Sequence, residues 1–319
     1  MQDGVLLLDG GGAVVYANGP IERHLGSSPA SLQAMLPLAA REATEKAFDE
    51  GQTASALVET GSPTRWLKIV ATPAGDDGSV LVVVRDVTEA RQLDAIRRDF
   101  VANASHELKT PAASILAAAE TLREAARDDP AAIPRFAAQL EREAGRLSRI
   151  VTDLLDLSRL ESGSDLSERV NLEALVREEV QRFEHNAREA GLTVVLQTPH
   201  PAPVRGSARD LALLVRNLVD NAIRYSRSGG TVTVAVDPDG AWVHVRVSDT
   251  GFGIPQRDVP RIFERFYRVD RARSRETGGT GLGLAIVRHV AENHAGTVTV
   301  DSELGRGTMF DVRLPAAPT

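Results

Sequence analysis

Apolar residues recur at intervals of three and four positions between Asp86 and Gly163, which is the spacing of one face of an α-helix. The pattern predicts two helices joined by a loop at 125–134, because Pro130 and Pro134 both disfavour a helix that continues before them. The two stripes consist of Leu93, Ile96, Phe100, Ala104, Leu108, Ile115 and Leu122 in the first helix, and of Ile133, Phe136, Leu140, Leu147, Ile150, Leu154 and Leu157 in the second. Because one hairpin cannot bury both narrow stripes alone, we expect a homodimer in which four helices form a bundle.

The segments on either side of the hairpin mix strands with helices. Up to about Val87, strands alternate with turns and one helical stretch, and they are expected at 5–8, 14–16, 65–71 and 80–84. From Val170 to Leu314 the pattern is typical of an α/β sandwich. Its helices are expected at 172–190, 208–226 and 284–291, and its strands at 231–236, 242–247 and 297–301. We therefore predict a multi-domain α+β protein with domains at 1–88, 89–163 and 168–316.

Composition excludes several kinds of chemistry. The 319 residues include no cysteine, which rules out disulfides, zinc–thiolate sites and cysteine nucleophiles. The net charge of −7 argues against a surface that holds nucleic acid by general electrostatics. No apolar run approaches the ~18 residues of a membrane span, and the N-terminus lacks the basic and apolar regions of a signal sequence. We therefore expect a cytoplasmic chain.

One histidine on the first hairpin helix is a candidate for chemistry. His106 lies two positions from both Ala104 and Leu108, so at ~100° per residue its side chain points away from the apolar stripe. Glu107 can restrain the imidazole ring and take its proton, which leaves one ring nitrogen as an acceptor for an electrophile. These residues alone are weak evidence for chemistry, because most exposed histidines are only solvated surface residues. The case therefore depends on the C-terminal segment.

Three motifs in the C-terminal segment together predict a nucleotide site. The first lies on one side of a helix and consists of Asn217, Asn221, Arg224 and Tyr225. Amide oxygens can ligate a hard cation, and an arginine can bind phosphate. In the second, a carboxylate at Asp249 can accept from an exocyclic amine, and glycines at 251 and 253 let a flat ring approach the backbone.

The third motif is the glycine-rich loop 279–283, which opens a helix whose backbone amides and positive end face an anion. A capped amphipathic helix would explain the asparagine motif alone, and a plain turn would explain this loop alone. The combination of all three in this order is specific to a nucleotide site.

At this point the chain resembles the bacterial sensor histidine kinases of two-component systems, over essentially its whole length. His106, Glu107 and Pro111 match the phosphoacceptor box, and Asn217 and Asn221 match the asparagine box. The first glycine, phenylalanine, second glycine and third glycine boxes match 249–253, 261–267, 279–283 and 305–308. The N-terminal segment is similar to a PAS sensor domain, and 263–277 and 98–103 are most similar to the phosphate-regulon sensor type.

The resemblance implies a PAS-like domain, a dimerising helical hairpin and an ATP-binding sandwich shared with gyrase-like and Hsp90-like ATPases. It implies ATP and Mg²⁺ under a mobile segment at 268–280, with adenine recognised by Asp249, the metal by Asn221, and phosphates by Arg224 and the arginines of that segment. The other implied nucleotide contacts are Asn217, Tyr225, Gly251, Gly253, Ile254, Arg268, Gly279, Thr280, Gly281, Leu282, Gly283, Leu284 and Thr308.

The same resemblance implies phosphoryl transfer from ATP to His106, with Glu107 as the base, and then to an aspartate in the receiver domain of a response regulator. Thr110, one turn beyond on the same face, could orient water against that phosphoaspartate and give a phosphatase mode. A threonine that simply precedes a proline kink explains Thr110 equally well.

Two other classes of protein fit the sequence less well. An ATP-driven clamp of the gyrase or Hsp90 type needs a glutamate one turn before the metal-binding asparagine, where this chain has Asn217, which cannot act as a general base. A scaffold with a vestigial kinase predicts damaged boxes, and all boxes are filled. Such kinases usually begin with membrane spans, so the sequence fits either the cytoplasmic part of a membrane-anchored sensor or a cytoplasmic kinase.

Overall fold

The computed structural model describes residues 3–25, 29–31, 34, 37–163, 165–198, 200–270 and 279–317. The chain divides into two compact units, 1–102 and 103–319, which are described separately. Across the described residues, no helix combines the length and the apolarity that a membrane span requires.

The first unit contains a five-stranded antiparallel sheet with strand order β2-β1-β5-β4-β3. Its elements are β1 (Gly4–Leu8), β2 (Val14–Ala17), α1 (Gly19–Leu25), α2 (Leu38–Glu50), β3 (Ala54–Thr60), β4 (Arg65–Pro73) and β5 (Val80–Asp86). Alternate residues of the central strands, such as Leu6, Ile69 and Val82, are fully buried. Strand β3 was not predicted, because it lies at the sheet edge and buries only Val58, which leaves little apolar signal.

The helical hairpin consists of α3 (Thr88–Asp128) and α4 (Ile133–Glu161), joined by a single 3₁₀ turn at Pro130–Ala132. The predicted loop at 125–134 was therefore too long. Pro134 lies in the first turn of α4, where the missing N–H has no helical partner to lose. Helix α3 also continues through Pro111.

The rest of the second unit is an α/β sandwich, as predicted. Its elements are β6 (Arg169–Asn171), α5 (Leu172–Glu189), β7 (Thr193–Gln197), β8 (Pro203–Arg205), α6 (Ala208–Tyr225), β9 (Thr231–Asp239), β10 (Trp242–Asp249), α7 (Gly283–Asn293), β11 (Thr297–Glu303) and β12 (Gly307–Pro315). The five-stranded sheet has the order β11-β12-β10-β9-β7, and β6 pairs with β8. Strands β6, β7, β8 and β12 were not predicted, although β12 buries alternate apolar residues such as Phe310 and Val312.

Helix α6 occupies the centre of the sandwich. It packs against α5 and α7 and against β9 and β10. Ser207 caps its first turn by accepting a hydrogen bond from the Asp210 amide, and its apolar face, including Leu211, Leu214 and Leu218, is fully buried. The opposite edge of α6 is thereby left to face the cavity described next.

Candidate active site

A cavity of about 230 Å³ lies in the second unit, where α6, the end of β10 and the start of α7 meet. Most residues of the predicted nucleotide site line this cavity. They are Asn217, Asn221, Arg224, Tyr225, Asp249, Gly253, Ile254, Arg268, Gly279, Thr280, Gly281, Gly283, Leu284 and Thr308. The fold thus brings motifs from Asn217 to Thr308 to one site.

Two predicted contacts lie beside the cavity and do not line it. Leu282 is completely buried as part of the hydrophobic core. The Gly251 amide donates to Asp249 Oδ1 at 2.8 Å, so this glycine orients the carboxylate from behind. The predicted mobile segment 268–280 falls largely on 271–278, which lies outside the described residues.

The asparagines of α6 have different environments. Asn217 Nδ2 donates to the Leu213 carbonyl at 2.8 Å, and a Cβ at Gly283 would come within 2.6 Å of Asn217 Oδ1. A side chain at position 283 would therefore displace the Asn217 amide from its present position. Among the described residues, Asn221 has no side-chain hydrogen-bond partner, so its amide oxygen is available to a hard cation such as Mg²⁺.

Charges along the same helix edge suit a phosphate ligand. Arg224 Nη2 donates to Asp220 Oδ2 at 2.5 Å, one turn away on α6. No group of three His, Asp or Glu side chains suitable for a metal occurs within the described part of the chain.

Asp249 ends the central strand β10 at the floor of the cavity. Burial raises the pKa of its carboxyl, while the backbone amides of Gly251 and Thr308 act in the opposite direction. A carboxylate held in this way is a directional acceptor for an exocyclic amine.

The second glycine loop is held against the phenylalanine box by backbone contacts. The Phe266 amide donates to the Gly281 carbonyl at 2.8 Å. Both residues have left-handed backbones, with φ of 62° at Phe266 and 76° at Gly281, and a Cβ at Gly281 would lie 2.9 Å from the Phe266 backbone. A glycine is required here to let the two segments pack closely.

A hairpin residue also lines the cavity, and sequence analysis did not find it. Asp153 on α4 accepts a hydrogen bond from Thr280 Oγ1 at 2.6 Å. Burial is the main cause that raises the pKa of Asp153 to about 6, although Thr280 opposes the shift. No local motif marks Asp153, because its position follows from packing between segments 127 residues apart.

We expect Asp153→Asn to stabilise the second unit at pH 7.5, and this gain to disappear toward pH 4. The folded carboxyl has a pKa of about 6 against 3.8 for a solvated aspartate, so the folded state binds the proton more tightly. Stability therefore falls as pH rises from about 4 to 6, and above this range the ionised group carries the full desolvation cost, of order 1–3 kcal/mol. Asparagine removes that charge and keeps an acceptor for Thr280.

Thermal unfolding of the wild type and this variant across pH 4–7.5 measures the effect. Asp156→Asn is the matched control, since Asp156 lies 3.7 Å from Arg209 and 3.9 Å from Arg159 and its loss should not stabilise. A stability difference for Asp153→Asn that is constant with pH would contradict the prediction.

The candidate phosphoacceptor residues lie on the same unit. His106 is exposed on α3, as predicted. Glu107 faces the second hairpin helix and the cavity, because its Oε2 accepts from Arg146 Nη2 at 2.7 Å and from Arg268 Nη2 at 3.0 Å. The described residues include no hydrogen bond between the His106 and Glu107 side chains. Thr110 Oγ1 donates to the His106 carbonyl at 3.1 Å, and Thr110 is exposed.

The hairpin and the sandwich share further polar contacts near the end of α4. Arg159 Nη2 donates to Oδ1 of the fully buried Asp210 at 2.6 Å, and Arg265 pairs with Glu161 at 2.6 Å. Because Asp210 is buried, breaking its pair would leave an uncompensated charge. The sandwich is therefore anchored close to where α4 ends.

Three parts of the chain match known families. Residues 1–92 match the PAS fold, residues 96–163 match the His Kinase A (phospho-acceptor) domain, and residues 206–318 match the histidine kinase-, DNA gyrase B- and HSP90-like ATPases. With the geometry above, these matches confirm the predicted family and fold class. The chain belongs to the sensor histidine kinases.

Two sensor kinases are among the relatives of the chain. The chain is 41% identical over 240 residues to the sensor-like histidine kinase SenX3 of Mycolicibacterium smegmatis. This match covers 75% of this chain and 62% of that protein. It is 32% identical over 329 residues to the sensor histidine kinase WalK of Bacillus subtilis. This second match covers 99% of this chain and 54% of that protein. The chain thus spans a little more than half the length of these relatives.

Solved structures agree with the fold. Histidine kinase ThkA, determined in complex with response regulator protein TrrA, aligns with 99% of this chain and 96% of its own at a TM-score of 0.59 and 20% identity. Acinetobacter baumannii histidine kinase AdeS aligns with 67% of this chain and 98% of its own at a TM-score of 0.53 and 24% identity. At these identities the likeness concerns the fold alone.

Proposed function

We propose that this chain transfers the γ-phosphoryl group of ATP to His106 and then to an aspartate of a response regulator. The observation that carries the proposal is the convergence of the asparagine and glycine boxes on one cavity, with Arg268 of its wall reaching Glu107 beside His106. Incubation of the full chain with γ-labelled ATP and Mg²⁺ should give a phosphate label that is labile in acid and stable in base. Absence of such a label would contradict the proposal.

Different residues of the cavity would bind different parts of the nucleotide. Asp249 would accept from the adenine amine, Asn221 would hold Mg²⁺ through its amide oxygen, and Arg224 and Arg268 would meet the phosphates. A bound Mg²⁺ neutralises phosphate charge. The contribution of the protein is then mainly positioning and electrostatic stabilisation.

In the transfer step, one bond forms and one bond breaks. One imidazole nitrogen of His106 forms a bond to the γ-phosphorus, the bond from that phosphorus to the bridging oxygen breaks, and ADP leaves with the electron pair. Glu107 takes the ring proton. The phosphohistidine then gives its phosphoryl group to a receiver-domain aspartate, which regenerates neutral His106 after proton return.

We propose a homodimer as the working assembly. Among the predicted stripe residues whose side chains the structure describes, which exclude Ile96, only Leu93 is exposed. The others are buried or half-buried. Additional apolar side chains remain exposed on the hairpin, including Leu116 at 66% and Leu155 at 66%. Burial of these side chains against a second copy would complete the four-helix bundle.

An ATP-driven clamp is the less favoured function. The position one turn before Asn221 is Asn217, and its Nδ2 is engaged with the Leu213 carbonyl. An amide has no basic site with which to activate water. The same geometry suits a kinase, in which the nucleophile is the imidazole of another domain.

We expect Thr110→Ala to slow dephosphorylation of the regulator while autophosphorylation is retained. The exposed hydroxyl can orient water. Its hydrogen bond to the His106 carbonyl is not one of the backbone hydrogen bonds of the helix, so alanine at this position leaves the helix intact. Both activities are measured on the variant with one purified regulator. If both fall equally while helicity is unchanged, Thr110 has no separate phosphatase role.

A further inference from the structure

Arg146 on α4 is a buried cation committed to the candidate base. Its side chain is 6% exposed, and its Nη2 donates to Glu107 Oε2 at 2.7 Å. Its Nε has no hydrogen-bond partner among the described residues. The desolvation of this guanidinium is therefore compensated chiefly by Glu107.

Both cations around Glu107 bind the same carboxylate oxygen. Arg268 Nη2 lies 3.0 Å from Oε2, and the Arg268 side chain is also only 6% exposed. Among the described residues, no side chain or backbone group donates a hydrogen bond to Oε1. A carboxylate fixed through Oε2 keeps Oε1 as the oxygen that can serve the neighbouring imidazole.

The two arginines lie in different parts of the structure. Arg146 lies in the hairpin with Glu107, whereas Arg268 lines the nucleotide cavity. If Arg268 turns to the phosphates of ATP, as the proposed function requires, Arg146 alone remains on Oε2. The hairpin therefore contains its own cation, Arg146, which can hold Glu107 without Arg268.

We infer that Arg146 is a positioning residue for phosphoryl transfer, which fixes Glu107 through Oε2 so that Oε1 accepts the proton of His106. The inference rests on the proposed function and acts entirely through Glu107. Without Arg146 the carboxylate would sample other rotamers, and its productive geometry would be populated less often.

The test is a double-mutant cycle on the full chain. Initial rates of autophosphorylation are measured against ATP concentration for the wild type, Arg146→Met, Glu107→Gln and the double variant. We expect Arg146→Met to lower kcat by roughly 10- to 100-fold with KM for ATP nearly unchanged, and Arg146→Lys to recover part of the loss. In the Glu107→Gln background, Arg146→Met should have little further effect, because the two residues act as one unit.

The controls separate positioning from general damage. Arg142→Met replaces an exposed arginine one turn earlier on α4 and should leave both constants unchanged. Circular dichroism and the affinity for ADP establish that each variant is folded. Equal fold losses from Arg146→Met in both backgrounds, or an unchanged kcat, would overturn the inference. Failure of the wild type to be labelled would instead contradict the proposed function.

Discussion

Replacing His106 with glutamine is expected to abolish acid-labile phosphorylation completely while nucleotide binding is retained. The exposed imidazole on α3 supplies the nucleophilic nitrogen, and a glutamine amide has none of comparable basicity. The nucleotide cavity is formed by other residues, so its affinity should not depend on this side chain. Radiolabelling from ATP and binding of a fluorescent nucleotide, measured on the same preparation, test both parts.

The matched control is His185→Gln. His185 is also an exposed helical histidine, paired with Glu189 on α5, and its replacement should leave labelling at the wild-type level. Acid-labile labelling of His106→Gln would show that another residue accepts the phosphoryl group. Loss of nucleotide binding in that variant would show that the two functions are not separable.

Asn221→Ala is expected to weaken Mg²⁺-dependent nucleotide binding by at least about tenfold. The variant removes an amide oxygen that faces the cavity and that the described residues leave without a partner. Calorimetric titration with ATP in the presence of Mg²⁺, and again with the metal chelated, isolates this contribution. The variant and the wild type should converge when the metal is removed.

Asn186→Ala tests whether any exposed asparagine would give the same result. Asn186 lies on α5, away from the cavity lining, and its replacement should not change either titration. If Asn221→Ala bound nucleotide normally with Mg²⁺, the metal would have to be held by other groups. If binding were lost equally with and without metal, Asn221 would act on the cavity shape instead.

The functional residues that could be predicted from the sequence are those that lie in short motifs. His106 with Glu107, and Asn217 with Asn221, each occupy a few consecutive turns of one helix, so their spacing alone places them together. The fold class followed from apolar periodicity in the same local way. Strand β3 was missed because an edge strand needs only one strongly buried residue.

Asp153 and Arg146 could not be found in this way. Each lies on the second hairpin helix, and each acquires its role from a partner 127 or 39 positions away in sequence. Before folding they are indistinguishable from the solvated charges that cover the rest of the helix. Their burial depends on how the helix packs, which no local pattern specifies.

The hydrogen bond from Thr280 to Asp153 and the ion pair from Arg268 to Glu107 have a thermodynamic consequence for substrate affinity. Thr280 and Arg268 both line the cavity, so a nucleotide that uses them must first displace their hairpin partners. The measured dissociation constant then equals the intrinsic one divided by the fraction of molecules in which these contacts are open. A sequence change confined to the hairpin is therefore expected to change the ATP concentration at which the cavity is half-occupied, although it leaves every nucleotide contact intact.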